Sequence, residues 1–387
     1  MAKAFLKKTR ETRVRSGHPW VFASDVERTE GAAAGDVVEV YSSKNTFLGR
    51  AMYNPNSQIT LRMLTRDETP VDDEFFYNRV KTAWEYRNTF CDPDSCRLIY
   101  SESDFLPGLI VDKFADVLSV QVMSLGIDRH MPVIYDALKE IVKPRGIYER
   151  NDVPVRRLEG LPMTTGLVYG EVPDKVEMLE NGIKLLVDVK EGQKTGYFLD
   201  QKENRAAIAP FVKGKKVLDC FCHIGSFALH AAHFGAAEAV GVDISEDAVA
   251  YARENAAING LDNARFEAAN CFDYLREKYD AKERYDVVIL DPPAFAKSRS
   301  ALESARRGYK EINLRGMKLC EEGGFLVTCS CSQHMLPNMF MDMVNEAARD
   351  SGKRIRLVEN RAQAHDHPIL PAAPETHYLK CLILQVF

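Results

Sequence analysis

The sequence predicts a chain in which a doubly wound α/β domain follows two smaller modules. Three observations support this fold class. The 387 residues exceed one ordinary domain. The first part contains short alternating apolar runs separated by Gly and Asn-Pro, whereas strands and helices alternate from about residue 190 onward. We therefore predict three domains, at 1–72, 73–187 and 188–387.

The two N-terminal modules differ in the secondary-structure patterns of their sequences. Alternating runs at 36–41 and 58–63 predict a small β-barrel or sandwich. The next module mixes both element types and is predicted to be α+β, with helices at 73–89 and 128–142 and strands near 109–112, 117–123, 146–149 and 183–187.

The C-terminal domain is predicted to contain a parallel, Rossmann-like sheet. Strands are expected at 216–219, 239–243, 264–268, 286–291, 324–328 and 379–386, and helices at 225–234 and 246–259. Ser245 is a favourable N-cap for the second of these helices. An acidic or reactive residue follows most of these strands, and ligands of open α/β sheets bind at the carboxyl ends of strands.

Composition limits the setting and the partners. There is no signal-like apolar segment at the start and no apolar run of about 20 residues, so we expect a cytoplasmic protein without a membrane partner. Nine irregularly spaced cysteines are expected to be reduced, and Cys220-Phe-Cys222-His223 has no second cluster that would complete a zinc site. The net charge is −5, yet residues 1–20 form a basic strip that could contact phosphates.

The loop after the first strand of the sheet is the candidate cofactor site. Gly225 lets the backbone approach a ligand closely. The glycine spacing is not that of a dinucleotide loop, and Asp219 would repel a pyrophosphate, so the loop favours a cationic ligand such as S-adenosylmethionine. Asp243 is placed to accept hydrogen bonds from ribose hydroxyls, and Asn270 to contact adenine. A nicotinamide-dependent oxidoreductase is the alternative.

Two motifs indicate the chemistry. Asp291-Pro-Pro-Ala-Phe295 is stiffened by its prolines, so that Asp291 faces a planar polar edge and Phe295 can stack on a base. Thr328-Cys-Ser-Cys-Ser332 ends the fifth strand. A cysteine thiolate can add reversibly to C6 of a pyrimidine and thereby activate C5 for methylation.

These residues leave three functions open. The first is a pyrimidine-C5 RNA methyltransferase. The second is a methyltransferase acting on an amino group of adenine or guanine, which needs no cysteine. The third is a non-catalytic RNA-binding protein with a degenerate methyltransferase domain, against which the intact series Asp219, Asp243 and Asp291 argues.

Over essentially its whole length the chain resembles the large-subunit (23S) ribosomal RNA cytosine-C5 methyltransferases that carry an N-terminal PUA domain. The segments that carry the resemblance are Gly17-His-Pro-Trp-Val-Phe22, residues 102–112, residues 192–201, residues 291–297 and Ser330-Cys-Ser332. The resemblance implies a β-barrel PUA domain, a central α+β domain and a C-terminal class I S-adenosylmethionine-dependent methyltransferase domain. Its expected partner is ribosomal RNA, in an unpaired region or an assembly intermediate. A homodimer is compatible with the sequence.

The same resemblance implies roles for individual residues. Cys331, rather than Cys329, matches the nucleophile, and Asp291 would hydrogen-bond to the cytosine ring and polarise it. The cofactor pocket is expected to contain Asp219, Phe221, Gly225, Ser226, Phe227, Asp243, Ile244, Asn270, Cys271, Phe272, Asp291, Phe198 and Gln201. Contacts with RNA are expected from Lys7, Arg13, Arg15, Phe295 and Lys297, and no metal is expected.

The chain departs from the two-cysteine cytosine methyltransferases at one point. Those enzymes place a second cysteine just after the proline of the Asp-Pro motif, where this chain has Pro293-Ala-Phe. Either another group, such as Asp291, accepts the C5 proton, or Cys329 assists resolution. His365 and His367 are open in the same way: they lie over the active site or cap the final hairpin.

Overall fold

The computed structural model describes residues 1–296 and 298–387, which form two compact units. The first unit comprises Met1–Met178, Val187–Leu199 and His365–Thr376. The second comprises Leu179–Leu186, Asp200–Ala364 and His377–Phe387. The division into three domains at residues 72 and 187 stays a prediction.

The first unit begins with a six-stranded sheet. Its strands are β1 (Lys3–Leu6), β2 (Trp20–Phe22), β3 (Val26–Glu30), β4 (Val37–Tyr41), β5 (Phe47–Tyr53) and β6 (Ile59–Thr65), with the short helix α1 (Thr12–Arg15) after β1. The strand order is β2-β6-β5-β4-β1-β3, and the pairs are antiparallel except β1 with β4. Val38 and Val40 are buried on one face of β4, so the predicted alternation is confirmed.

A five-stranded sheet and two long helices complete most of the first unit. The elements are α2 (Asp73–Phe90), β7 (Ser95–Tyr100), β8 (Leu109–Phe114), β9 (Val117–Val122), α3 (Leu125–Val142), β10 (Gly146–Asn151), α4 (Val155–Leu158) and β11 (Thr164–Gly170). The order is β11-β10-β9-β8-β7. Asp72 begins α2 by accepting a hydrogen bond from the backbone N–H of Phe75, and Phe76, Val80 and Ala83 form its buried face at helical spacing.

A two-stranded sheet follows, formed by β12 (Val176–Glu180) and β13 (Ile183–Val187). The second unit then contains a sheet with helices between its strands. Its elements are α5 (Lys202–Ala207), α6 (Ala209–Val212), β14 (Lys216–Cys220), α7 (Ser226–His233), β15 (Glu238–Asp243), α8 (Glu246–Ile258), β16 (Ala264–Ala268), α9 (Cys271–Asp280), β17 (Tyr285–Leu290), α10 (Leu302–Leu319), β18 (Cys320–Ser330), α11 (Pro337–Ser351), β19 (Ile355–Arg361) and β20 (Lys380–Val386).

Within the described residues this sheet has seven strands, in the order β16-β15-β14-β17-β18-β20-β19. Strands β14 to β18 are parallel, and β20 is antiparallel to both of its neighbours. The chain builds outward from β14 through β15 to β16 and then returns to the other side of β14 with β17. The strand order therefore reverses between β14 and β17, and ligands of such sheets bind outside the carboxyl ends of the strands at this point.

The central strands are buried on both faces, which explains why they appear in the sequence as continuous apolar runs. Val287 to Leu290 of β17 are fully buried. The predicted starts and ends of β14 to β17 are correct to within one residue, and Ser245 caps α8 as expected by accepting from Ala248 N. The fifth predicted strand is longer than expected, because β18 starts at Cys320, and β19 was not predicted. In the described part of the chain, no helix is long and apolar enough to cross a membrane.

Candidate active site

The loop between β14 and α7 has an unusual backbone. Phe221, His223 and Gly225 all have positive φ, at 66°, 51° and 87°. For the two residues that carry a Cβ, this conformation costs about 1–3 kcal/mol each, and such strain is typical of functional sites. A Cβ at position 225 would lie 2.7 Å from the ring of Phe266. Glycine is therefore required there by its positive φ and by packing against Phe266, and the close approach of a ligand to Gly225 stays a prediction.

Asp219, at the end of β14, is a buried carboxylate with an unsatisfied oxygen. Its Oδ2 accepts a hydrogen bond from Ala228 N at 2.9 Å, whereas Oδ1 has no hydrogen-bond partner among the described residues. Burial raises the pKa of Asp219 well above its usual range, and the negative charges of Asp291 and Asp243 raise it further. The negative charges of Asp219, Asp243 and Asp291 therefore interact at the point where the strand order of the sheet reverses.

Asp243 and Asn270 fix the neighbouring loops. The carboxylate of Asp243 accepts from His223 N at 2.9 Å and from Ser245 N at 3.0 Å. The side-chain oxygen of Asn270 caps α9 by accepting from Phe272 N at 2.9 Å, so this oxygen is used within the protein.

Three aromatic rings lie beside these loops. The ring centroids of Phe221, Phe272 and Phe295 are 6.0 to 6.4 Å apart, and all three side chains are half-buried. Cys271 is buried, and its sulfur accepts from Phe221 N at 3.2 Å. The rings form an apolar surface next to the acidic cluster.

The two reaction motifs predicted from the sequence meet in the structure. The Sγ of Cys331 is half-buried and lies 3.8 Å from the carbonyl oxygen of Pro292, the residue after Asp291. The Oδ1 of Asp291 accepts a hydrogen bond from Gln201 Nε2 at 2.8 Å. Gln201 is buried, and its own oxygen accepts from Asn204 Nδ2 at 2.7 Å, which fixes the orientation of the amide. Gln201 thus contacts the candidate catalytic carboxylate.

Ser332 and Tyr309 hold the two motifs together. The Oγ of Ser332 accepts from Ala296 N at 3.1 Å and lies 2.9 Å from the hydroxyl of Tyr309. Tyr309 is fully buried, its pKa is raised by burial to about 12, and its ring centroid is 4.7 Å from that of Phe295. These contacts couple the position of Cys331 to the loop that carries Asp291.

Cys329 lies in a different environment from Cys331. It is fully buried and lies directly opposite Cys381 in the β18–β20 pair. Burial, together with the neighbouring Cys381, raises the pKa of the Cys329 thiol well above its usual range. A buried thiol of this kind is a poor participant in proton transfer.

Comparisons with known proteins decide the family. Residues 5–66 match the model of a PUA-like domain, and residues 162–385 match that of an S-adenosylmethionine-dependent methyltransferase. The chain is 42% identical over 393 residues to ribosomal RNA large subunit methyltransferase I of Aeromonas hydrophila, with 99% of each chain covered. It is 43% identical over 391 residues to the Shewanella denitrificans protein of the same name, with 99% of this chain and 98% of that one covered. The chain belongs to this S-adenosylmethionine-dependent methyltransferase family.

Solved structures of methyltransferases share the fold over the full length. One, complexed with SAH, has a TM-score of 0.86 and 20% identity, and covers 100% of both chains. Another, from Streptococcus mutans, has a TM-score of 0.84 and 21% identity with the same coverage. The predicted α/β class, with a PUA-like N-terminal part and a Rossmann-like methyltransferase part, is confirmed.

The methyltransferase site is suited to its cofactor on chemical grounds. S-adenosylmethionine carries an ammonium and a sulfonium, and Asp219 offers a buried carboxylate oxygen that no described protein group satisfies. A cation there would relieve the repulsion among the three carboxylates. The half-buried rings nearby provide an apolar surface for a flat adenine.

The structure gives the surroundings of the other predicted site residues, whose roles stay predictions. Ser226 and Phe227 are buried, Arg205 lies over the ring of Phe227, and Ile244 is 70% exposed. Phe198 belongs to the first unit, where the Nζ of Lys194 lies 4.8 Å from its ring centroid. Lys297 lies outside the described residues.

The predicted RNA-contacting residues of the basic strip also lie in the first unit, and each has a partner within it. Lys7 donates to Ser24 O at 2.7 Å, Arg13 pairs with Glu375 at 3.0 Å, and Arg15 pairs with Glu11 at 3.3 Å. Their proposed contact with RNA stays a prediction.

The two histidines that the sequence left open belong to the first unit. His367 is buried and bonded to the carboxylate of Asp366 at 2.6 Å, and Asp366 accepts from Arg97 N at 2.8 Å. This pairing is a structural role. Among the described residues, no group of three or more His, Cys, Asp or Glu side chains could hold a metal.

Proposed function

We propose that this methyltransferase forms 5-methylcytosine in large-subunit (23S) ribosomal RNA, with Cys331 as the nucleophile. The observation that carries the proposal is the position of the half-buried Cys331, whose sulfur lies 3.8 Å from Pro292 O in the loop that begins with Asp291. A nucleophile of this kind is needed for methylation at C5 of a pyrimidine and not for methylation of an exocyclic amine. The names of the relatives support ribosomal RNA as the substrate.

In the proposed reaction, Cys331 acts as the nucleophile and Asp291 as the base. The Cys331 thiolate adds to C6 of the cytosine, and the electron pair of the C5–C6 double bond becomes available at C5. S-adenosylmethionine, when bound, supplies the methyl group that C5 accepts. Asp291 hydrogen-bonds to the ring and then accepts the C5 proton, after which the Cys331–C6 bond breaks and the thiolate is restored. We assign the proton to Asp291 rather than to Cys329 because Cys329 is fully buried.

We also propose which residues hold the cofactor. Asp219 would receive its cationic groups, and Asp243 its ribose hydroxyls. Phe221 and Phe272 would contact the adenine, with the backbone of the 220–225 loop lying against the ligand. Ser226 and Phe227 would contribute through their backbone, since both side chains are buried.

RNA docking is assigned to the PUA-like part and its basic strip. Lys7 and Arg15 are exposed, and half-exposed Arg13 could exchange Glu375 for a phosphate. The target cytosine must leave its stack to reach Cys331, so an unpaired region or an assembly intermediate is the favoured substrate. A cytoplasmic setting is part of the proposal, and the ribosomal RNA in the relatives' names supports it.

A homodimer is part of the proposal. Strand β11 lies at the edge of its sheet, its residues are almost all exposed, and its sequence Thr-Thr-Gly-Leu-Val-Tyr-Gly carries no charge or proline. Charged residues and prolines normally prevent an edge strand from pairing with another chain, and β11 has neither. A second copy of this protein offers the same strand β11 as a pairing partner. Light scattering of the wild type and of Leu167→Lys tests this, because the substitution should yield monomers.

Mapping of methylated cytosines in ribosomal RNA from cells with and without the protein tests the proposed activity. Loss of one large-subunit 5-methylcytosine is expected in the deletion strain, with return on complementation. RNA containing 5-fluorocytosine should trap a covalent adduct with the wild type and not with Cys331→Ala. A Cys331→Ala enzyme that still methylates would instead select the amino-group methyltransferase.

A further inference from the structure

Lys380 is a buried cation beside the nucleophile. It is the first residue of β20, lies opposite Ser330 of β18 and is only 4% exposed. Its Nζ donates to the carbonyl oxygens of Ser332 at 2.7 Å and Tyr378 at 2.8 Å. Because Ser332 directly follows Cys331, these bonds hold the ammonium next to the backbone of the reactive residue.

The surroundings of Lys380 do not compensate its charge with a carboxylate. Both hydrogen-bond acceptors are neutral carbonyl groups, and no described Asp or Glu side chain forms an ion pair with it. Burying an ammonium without a partner is unfavourable. Burial accordingly lowers the pKa of Lys380 to about 8, and the charge of Cys331 is what opposes this effect. The interaction is reciprocal: the Cys331 thiolate stabilises the charged form of Lys380, and the Lys380 ammonium stabilises the thiolate form of Cys331.

Tyr309, His377 and Asp291 are the other described titratable groups near the pair, and none of them supplies a positive charge. Tyr309 of α10 interacts with Cys331 and stays neutral, because its pKa is raised to about 12. His377 faces Lys380, and its pKa is lowered by burial and by that ammonium, so it too is neutral near pH 7. Asp291, after β17, carries a negative charge that disfavours a neighbouring thiolate. Among these described groups, Lys380 is the one that favours the thiolate.

We propose that Lys380 is a positioning residue for methyl transfer, whose ammonium, held by the Ser332 and Tyr378 carbonyls, stabilises the thiolate of Cys331. The inference rests on the proposed role of Cys331 as nucleophile. The thiol proton passes to solvent, and the ammonium stays charged while the thiolate adds to C6 and when it is released again.

The pH dependence of Cys331 alkylation tests this directly. Iodoacetamide reacts with the thiolate, and mass spectrometry of the separate peptides resolves Cys331 from Cys91, the other cysteine that is not fully buried. In Lys380→Met we expect the midpoint for Cys331 to rise by about one pH unit or more, so that its rate at pH 7 falls by roughly tenfold. Lys380→Arg should restore most of the rate, because it keeps the charge.

Two controls separate this effect from a loss of packing. The Cys91 profile in the same samples should not change, and Lys113→Met, which removes a buried lysine of the first unit, should leave the Cys331 midpoint at its wild-type value. A folded Lys380→Met protein with an unchanged Cys331 midpoint would overturn the proposal and leave Lys380 as a bond donor to the loop only.

A second measurement applies if Lys380→Met does not fold. In protein labelled with ¹³C at lysine Cε, the Lys380 signal is titrated in the wild type and in Cys331→Ser. Loss of the thiolate should lower the pKa of Lys380 further, and an identical titration in both proteins would count against the pair. Neither measurement depends on methyl transfer. An active Cys331→Ala enzyme would therefore reject the proposed function, whereas unchanged titrations would reject only the role of Lys380.

Discussion

Two buried carboxylates of this methyltransferase, Glu159 in the first unit and Asp219 in the second, have opposite surroundings. In the first unit, Glu159 accepts hydrogen bonds from Ser57 at 2.5 Å, Asn54 at 2.9 Å and Arg62 at 2.9 Å. Burial alone would raise the pKa of Glu159, but Arg62 and these hydrogen bonds hold it below its usual value. In the second unit, Asp219 has one oxygen without a hydrogen-bond partner among the described residues, and its pKa is raised.

The difference separates charges that stabilise the fold from charges that await a ligand. A buried carboxylate with all its partners in place contributes to folding, and removal of one partner is costly. A buried carboxylate with a missing partner destabilises the unliganded protein, and a bound cation can supply what is missing. Lys380 belongs to neither kind: its hydrogen-bond acceptors are neutral carbonyl groups, and we propose that the Cys331 thiolate balances its charge. Four substitutions can break or sharpen this distinction.

The largest effect is expected from Cys331→Ala. Without the thiolate, C5 of the cytosine is not activated, and methyl transfer should fall by at least about 1,000-fold. Binding of S-adenosylhomocysteine, measured by calorimetry, should stay within about twofold of the wild type, because no residue assigned to the cofactor is changed. Cys329→Ala is the matched control two residues away: it should retain activity, and a comparable loss there would mean that the wrong cysteine has been assigned.

Glu159→Ala should give the largest loss of stability. The substitution leaves buried Arg62 and Asn54 without their shared carboxylate, and breaking a buried pair costs about 3–5 kcal/mol. Urea denaturation measures this, and Asp174→Ala, which breaks the exposed pair with Lys190, should cause no measurable change. S-adenosylhomocysteine affinity of the folded protein should be preserved; a wild-type stability for Glu159→Ala would remove the contrast between Glu159 and Asp219.

Asp219→Asn should have the opposite effect to Glu159→Ala, with a loss of cofactor affinity rather than a loss of stability. Cofactor affinity should fall by roughly 10- to 100-fold, because a charged hydrogen bond is lost, while Asp247→Asn, at an exposed position of α8, should leave affinity unchanged. Stability should respond to pH with a definite sign. The folded protein holds the Asp219 proton above the pH at which the unfolded chain releases it, so stability of the wild type should fall as pH rises through this interval. Thermal denaturation should show a flatter dependence in Asp219→Asn, and an equally steep dependence would contradict the assignment.

Much of this unit could be predicted from local pattern. Parallel strands buried on both faces appear as apolar runs, so β14, β15 and β17 were located to within one residue, and Asp219, Asp291 and Cys331 were placed at strand ends that the topology brings together. Strand β19 was missed because its residues are mostly exposed and include several charges, which leaves no apolar face to detect.

The supporting contacts could not be predicted, because they join positions far apart in the sequence. Gln201 reaches Asp291 across 90 residues, and Lys380 reaches Ser332 across 48. Contacts between such distant positions produce no periodic pattern in the sequence. Gln201 was assigned to the cofactor pocket from the family resemblance, and nothing in the sequence distinguishes Lys380 from any other polar residue at the start of a strand. The sequence indicates the candidate reactive groups, and the structure adds the contacts that orient them and influence their ionisation.

The smallest of the four effects, and the sharpest test of that support, is expected from Gln201→Glu. The substitution keeps the shape but replaces the amide that donates to Asp291 Oδ1 by a second carboxylate. Like charges at this distance raise the pKa of one member of the pair, so the acidic limb of the kcat/KM profile should move to higher pH. At pH 7 we expect a loss of about tenfold, recovered in part at higher pH, with little change in S-adenosylhomocysteine affinity. Gln201→Met, which removes the hydrogen bond without adding charge, should move the limb in the same direction but less far; a limb that stays in place in Gln201→Glu would mean that the ionisation of Asp291 does not control the reaction.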